Sequence, residues 1–189
     1  MVSDAQRQFL LDEFFEFTLA GAFQRARIYG GKAGGDEEQR LHCRLRHELE
    51  ALAPGYGRLV LEYAHRANIE ALSEGLTASF APILQGGRFR IGVAQKALNL
   101  YLKYLWCWGE IAVPPHCPFD SQVLAELGGG ELGAWTKCDS WKTYGLWVDA
   151  ARERATQEGV SIAEWELSFF NKSRHPSGVA PKLTPRAER

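Results

Sequence analysis

Lys96 and Asp120 are the residues of this sequence whose types and positions point most directly to chemistry. Lys96 lies near the beginning of an apolar segment that predicts a helix over 92–107, and Asp120 immediately precedes the next helical segment. Burial among apolar side chains lowers the pKa of a lysine, because it disfavours the charged form, and the neutral amine is a nucleophile. A neighbouring carboxylate can stabilise positive charge and move protons. The two residues therefore predict an amine nucleophile with an acidic partner.

The segment 92–107 carries one polar stripe, formed by Gln95, Lys96, Asn99 and Lys103. At about 100° per residue, these side chains fall within an arc of about 100°, and apolar side chains fill most of the remaining surface. The stripe faces either solvent, where both lysines are simply hydrated, or a cleft. In a cleft, the helix dipole near the N-terminal end also lowers the pKa of Lys96. Periodicity leaves both alternatives open.

Asp120 also has a purely structural interpretation. An aspartate before Ser121 and Gln122 is a favourable helix N-cap, worth about 0.5–2 kcal/mol. A cap needs no catalytic role, but the two roles are compatible.

The tract Gly92-Val93-Ala94-Gln95-Lys96, followed by Pro118-Phe119-Asp120, resembles the helix-hairpin-helix DNA glycosylases, in the branch of the oxoguanine glycosylase/lyases. Those enzymes carry Gly-Val-Gly-x-Lys in the hairpin and a downstream Pro-Val-Asp. The resemblance covers about a fifth of the chain, over 86–127. Ala94 replaces the second hairpin glycine, Arg90-Ile91 replaces a Leu-Pro, and the separation of lysine from aspartate is longer than usual.

The resemblance implies an all-α, helix-hairpin-helix glycosylase-like fold and a DNA N-glycosylase/lyase that acts on a modified or damaged base. Lys96 would attack the sugar C1′, and Asp120 would stabilise the positive charge that develops on the sugar. The partner would be DNA, whose target base would be flipped out of the stack, and neither a cofactor nor a metal is implied. The expected nucleic-acid-binding residues are Arg88, Arg90, Gly92, Gln95 and Lys103.

The rest of the chain predicts further helices and no strand. Ser161 and Glu164 fit a capping box at the start of the last helix, and Glu166 is interpreted as an exposed helix-face residue. We expect a single compact all-α domain over 1–171, followed by a basic, disordered tail over 172–189. Apolar spacing predicts helices over 4–29, 36–52, 58–84 with a break near Gly75, 92–107, 120–127, 139–158 and 161–171.

The charge distribution argues against a strongly basic nucleic-acid-binding surface. The formal charge of the chain is −1, and the segment 172–189 carries five Lys/Arg against one Glu, a charge of +4. The remaining body is therefore at −5, which weakens the electrostatic attraction to DNA, although local basic patches can persist on such a body.

Cysteine usage and hydropathy indicate a cytoplasmic protein. The four cysteines are scattered without a Cys-x-x-Cys pair, so we expect reduced thiols and no metal site. The N-terminus lacks the pattern of a signal peptide, and no segment has the apolar length that a membrane span requires.

Two other functions remain open from the sequence. In the first, the protein is a non-catalytic helical interaction or regulatory protein with a protein partner, Lys96 and Lys103 are hydrated, and Asp120 is only a cap. In the second, the same fold binds a free nucleobase or nucleotide in its pocket.

Overall fold

Helices make up the regular secondary structure of the computed structural model, which describes residues 2–31 and 34–174. No strand occurs within these ranges, where Tyr29 and Leu84 form an isolated bridge. The all-α prediction is therefore confirmed. Short 3₁₀ segments lie at Ala53–Tyr56, Gln85–Gly87, Gly129–Leu132 and Trp135–Lys137. In chain order the α-helices are α1 (Asp4–Phe23), α2 (Gly35–Leu52), α3 (Glu62–Phe80), α4 (Ile91–Trp108), α5 (Ser121–Leu127), α6 (Trp141–Glu158) and α7 (Ile162–Arg174).

Helix α4 is the centre of the fold. Its sequence is apolar on nearly every side, and such a helix is stable only when neighbours cover it. α1 and α3 pack along it, α2 packs on α3, and α6 contacts α4, α5 and α7. Leu98, Tyr101 and Leu102 of α4 lie in the middle of the resulting core. The helix that carries Lys96 is thus enclosed by the rest of the molecule.

The first helix is shorter than its apolar spacing predicts. α1 ends at Phe23 rather than at Tyr29. Arg27 adopts a φ of 45°, in the left-handed region that a right-handed helix cannot contain. The chain then runs beside the end of α3, where Gly30 N donates to Ile83 O at 2.8 Å. This tertiary contact, which local periodicity does not report, turns the chain away from the helix axis.

Three other boundaries differ from the predictions. α3 starts at Glu62 and runs without a break through Gly75, since one exposed glycine costs a helix only about 1 kcal/mol. α2 uses Gly34 as its N-cap, so that Asp36 lies inside the first turn. α7 continues to Arg174, beyond the expected end of the domain at residue 171. The predicted disordered tail otherwise lies outside the described residues.

Gly92 permits a close approach at the start of α4. Its backbone N–H donates to Cys138 O at 2.9 Å. A Cβ at this position would lie 1.9 Å from Trp135 O, far inside van der Waals contact. The segment 135–138 can therefore pack against α4 only because residue 92 is glycine.

None of the helices in the described ranges has the length and apolar character needed to cross a bilayer.

Candidate functional site

Lys96 and Asp120 form an ion pair. Lys96 Nζ lies 2.8 Å from Asp120 Oδ2, and the side chains are 7% and 30% exposed, respectively. Asp120 Oδ1 accepts hydrogen bonds from the backbone N–H groups of Gln122 and Val123, at 2.9 and 3.0 Å. One carboxylate thus caps α5 and binds the lysine of α4. The predicted cap is confirmed, and the two predicted catalytic residues are in contact.

The environment of Asp120 keeps its carboxylate ionised. Burial by itself would raise the pKa of Asp120, but the Lys96 ammonium and the two backbone donors of α5 outweigh burial and lower the pKa. Lys96 therefore faces a negative charge at neutral pH. The partly exposed carboxylate also gives the pair its access to solvent.

The polar stripe of α4 faces neither solvent nor an open cleft; the segment 117–120 covers it. The Gln95 side-chain amide donates to Phe119 O at 2.8 Å and accepts from Phe119 N at 3.2 Å. Asn99 donates to Cys117 O at 2.9 Å. Both amides are fully buried. They bind the backbone just before Asp120 and thereby fix the position of its carboxylate relative to Lys96.

Lys103 forms a second ion pair, with Glu166 of α7. Its Nζ lies 2.8 and 2.7 Å from the two carboxylate oxygens, and both side chains are at most 8% exposed. Burial raises the pKa of Glu166 in spite of the lysine beside it. The assignment of Glu166 to an exposed helix face is wrong, because α7 turns this residue toward α4. Hydration of Lys103 is likewise ruled out in this arrangement.

Cys117 lies in the same electrostatic environment as the two ion pairs. It is buried, and burial raises the pKa of its thiol well above the usual range. The thiol therefore remains protonated at neutral pH and is a poor nucleophile. The amine of Lys96, in contrast, has a partly exposed carboxylate at hydrogen-bonding distance.

The expected nucleic-acid-binding residues do not form one surface. Gly92 N–H is bonded to Cys138 O, as described above, and Gln95 and Lys103 are bonded inside the protein. None of these three groups points outward in this conformation. Their contact with DNA stays a prediction that the arrangement does not favour.

The two arginines of the set lie nearer the surface. Arg88 is paired with Glu74 at 2.8 Å and with Asp139 at 2.9 Å, so its charge is already neutralised. Arg90 donates to the backbone carbonyls of Ala26 and Arg27 and borders a surface cleft. Of the five residues, Arg90 is the one whose cation faces such a cleft.

Across residues 2–31 and 34–174, no group of three or more His, Cys, Asp or Glu side chains is arranged to hold a metal ion. Comparison of the chain with family models, with curated proteins and with solved structures gave no match. The chemistry of the Lys96–Asp120 pair is therefore argued from its geometry.

Proposed function

We propose that this protein is a DNA glycosylase/lyase-like enzyme that acts on a modified or damaged base. Lys96 is the nucleophile and Asp120 is its carboxylate partner. The observation that carries the proposal is the 2.8 Å contact between Lys96 Nζ and Asp120 Oδ2. A lysine near the start of one helix meets the N-cap aspartate of the next, which is the arrangement that the resemblance of 86–127 implies.

The energetics of the pair also favour a role in chemistry. A buried ion pair is often no more stabilising than apolar side chains of similar volume, because both ions lose their hydration. Lys96 is 7% exposed, whereas Asp120 keeps 30% of its side chain in contact with solvent. The pair is therefore accessible to solvent from the side of Asp120. Ionisable groups whose pKa is shifted, as that of Asp120 is, are concentrated at active sites.

The reaction requires a neutral amine. A proton first leaves the Lys96 ammonium, and Asp120 Oδ2 is placed to receive it. The Nζ lone pair then forms a bond to C1′ while the bond from C1′ to the base breaks; the base keeps the electron pair and takes up the proton from Asp120, which thereby returns to its carboxylate form. Opening of the sugar ring gives a Schiff base, from which loss of a proton at C2′ eliminates the 3′ phosphate. The Asp120 carboxylate stabilises the positive charge on the sugar.

Borohydride trapping tests this function directly. Oligonucleotides with abasic, oxidised and uracil sites are incubated with the wild-type protein, with Lys96→Gln and with Lys142→Gln, whose lysine is exposed on α6. We expect a covalent adduct with the wild type and Lys142→Gln, and none with a folded Lys96→Gln. An adduct that survives in Lys96→Gln would remove Lys96 as the nucleophile.

A second variant separates catalysis from folding. Asp120→Asn retains a side-chain oxygen that can cap α5 but removes the charge beside Lys96. General acid–base groups contribute about 10²–10⁴-fold to rate, so base release by Asp120→Asn should fall by roughly that factor. Absence of both adduct and base release with the wild type would instead favour a protein that binds a nucleobase or nucleotide, or another protein, without catalysis.

A further inference from the structure

A surface cleft beside the start of α4 is lined by cations. Its volume is about 600 Å³, and no acidic residue lines it. Arg25, Arg27 and Lys137 are exposed, and none of them forms an ion pair within the part of the chain that the structure describes. The lining residues are Arg25, Ala26, Arg27, Gln85, Arg90, Thr136 and Lys137.

The backbone holds one of these cations in place. The Arg90 guanidinium donates to the carbonyls of Ala26 and Arg27. Arg27 itself has a φ of 45°, which for a residue other than glycine costs on the order of 1–3 kcal/mol and persists only where surrounding contacts impose it. Arg90 Nε is buried and has no hydrogen-bond partner in the described part of the chain. The position of Arg90 is therefore fixed by the protein.

Four positive charges line this one cleft, although the chain outside 172–189 carries a formal charge of −5. Asp139 acts electrostatically on Arg90, whereas the other three cations are exposed, so the cleft keeps a positive potential. An anion in the cleft is attracted by all four cations. The geometry therefore favours a ligand with more than one negative charge.

The cationic cleft continues toward the candidate catalytic pair. A second cleft of about 640 Å³ shares Arg25 and Thr136 with the first and extends to Ser121 and Leu124 of α5. Ser121 is the neighbour of Asp120 in the chain. The second cleft thus borders the residue next to Asp120, whose carboxylate is partly exposed.

We propose that the cleft of Arg25, Arg27, Arg90 and Lys137 binds phosphates of a nucleic-acid strand and directs that strand toward Lys96 and Asp120. The inference rests on the proposed function, from which it takes the class of ligand. It assigns phosphate binding to side-chain cations, since Gly92 N–H is bonded to Cys138 O. Arg25, Arg27 and Lys137 are therefore the site residues that sequence patterns did not indicate.

The salt dependence of binding tests the assignment. A fluorescent duplex with a tetrahydrofuran abasic analogue is titrated with Lys96→Gln protein at about 50 to 200 mM salt, so that no covalent chemistry intervenes. Four phosphate contacts give a slope of about −3.6 for log K against log salt, a loss of roughly 150-fold in affinity over this range. Arg25→Gln/Lys137→Gln in the same background should reduce the slope by about 1.8. Both side chains are exposed, and folding is checked by circular dichroism.

The matched control is Arg58→Gln/Lys142→Gln, which removes the same charge at exposed positions outside the cleft. We expect this control to keep the parental slope. The inference is overturned if the two double variants reduce the salt slope equally, or if neither of them reduces it. Stronger competition by free AMP than by a single-stranded oligonucleotide of equal phosphate concentration also overturns it, since the cleft would then take a mononucleotide.

The two proposals fail in distinguishable ways. The wild type could trap an adduct while Arg25→Gln/Lys137→Gln leaves the salt slope of DNA binding unchanged. This result would support the proposed function and contradict phosphate binding in the cleft. A reduced slope without any adduct or base release would sustain the phosphate cleft and contradict the catalytic proposal.

Discussion

Glu166 binds Lys103 through both carboxylate oxygens, at 2.8 and 2.7 Å, two helical turns from the point where Asp120 binds Lys96. α4 therefore presents two lysines on one face, each neutralised by a carboxylate from a different helix or cap. The Lys103 pair is closed, with side chains 8% and 5% exposed, whereas Asp120 is 30% exposed. The Lys103 pair joins α4 to α7, and the Lys96 pair is open to solvent at Asp120.

Removal of one partner of the closed pair should destabilise the protein strongly. Lys103→Met leaves the Glu166 carboxyl group buried without its counter-charge, and loss of one partner of a buried pair costs about 3–5 kcal/mol in the free energy of unfolding. The double variant Lys103→Met/Glu166→Leu replaces both ions with apolar groups and should recover most of that loss. Urea unfolding of the wild type, of the single variants Lys103→Met and Glu166→Leu, and of the double variant measures the coupling. Additive effects in the double variant would show that the pair is not energetically coupled.

Two substitutions at Asp120 separate its cap from its charge. Asp120→Asn retains a capping oxygen, whereas Asp120→Ala loses the cap as well as the ion pair. We expect Asp120→Ala to lower the free energy of unfolding by about 0.5–2 kcal/mol more than Asp120→Asn does. Urea unfolding measures both values. If the two variants were equally stable, the hydrogen bonds to Gln122 and Val123 would contribute nothing to stability.

Local sequence patterns predicted the parts of this structure that depend on local physics. The apolar pattern of 92–107 placed the central helix, and the residue types at Asp120 and Ser161 predicted two helix starts. The Ser161 capping box is present, with Ser161 N donating to Glu164 Oε2 at 2.8 Å and Glu164 N to Ser161 Oγ at 3.2 Å. A cap uses groups only three residues apart, so sequence alone is sufficient to locate it.

Contacts between distant segments were beyond those patterns. Glu166 is 63 residues from Lys103, and its burial depends on how α7 packs against α4. The polar stripe was correctly located, but nothing local shows that Gln95 and Asn99 bind the backbone of 117–119. The cationic cleft likewise brings Arg25 and Arg27 together with Arg90 and Lys137, from three segments that lie far apart in the sequence.

Gly92 should be intolerant of a side chain. Gly92→Ala places a methyl group 1.9 Å from Trp135 O, so the segment 135–138 must move and lose its bond to Gly92 N–H. We expect a loss of about 3 kcal/mol or more in the free energy of unfolding. The control is Gly75→Ala in α3, where a Cβ meets nothing within 4 Å, and alanine should stabilise the helix by roughly 0.5–1 kcal/mol. Equal stability of the two variants would contradict the close packing at residue 92.

A buried histidine pair should make the protein sensitive to acid. The rings of His65 and His116 are perpendicular, with centroids 4.7 Å apart, and each ring nitrogen Nδ1 is 2.7 Å from a tyrosine hydroxyl, of Tyr56 and Tyr144 respectively. Burial lowers the pKa of each histidine to about 3. Glu62 Oε1 lies 3.7 Å from His116 Nε2, too far for a hydrogen bond that would retain a proton there.

The sign of the pH effect follows from proton uptake. Unfolded histidines bind protons below about pH 6.5, whereas the folded pair stays neutral down to about pH 3, so the free energy of unfolding falls as pH decreases through this window. Each histidine contributes up to about 1.4 kcal/mol per pH unit.

Urea unfolding between about pH 7.5 and 5 measures the slope above the range of ordinary carboxylates, where the lowered pKa of Asp120 has no effect. His65→Phe should remove its own share of the slope even if it reduces stability at every pH, and the shares of His116 and of His42, whose pKa burial also lowers, should remain. His47→Gln, at an exposed position, should leave the slope unchanged. If His65→Phe did not alter the slope, His65 would be able to take up a proton without unfolding of the protein. That requires an opening of the core, which would contradict the 4.7 Å contact between the two rings.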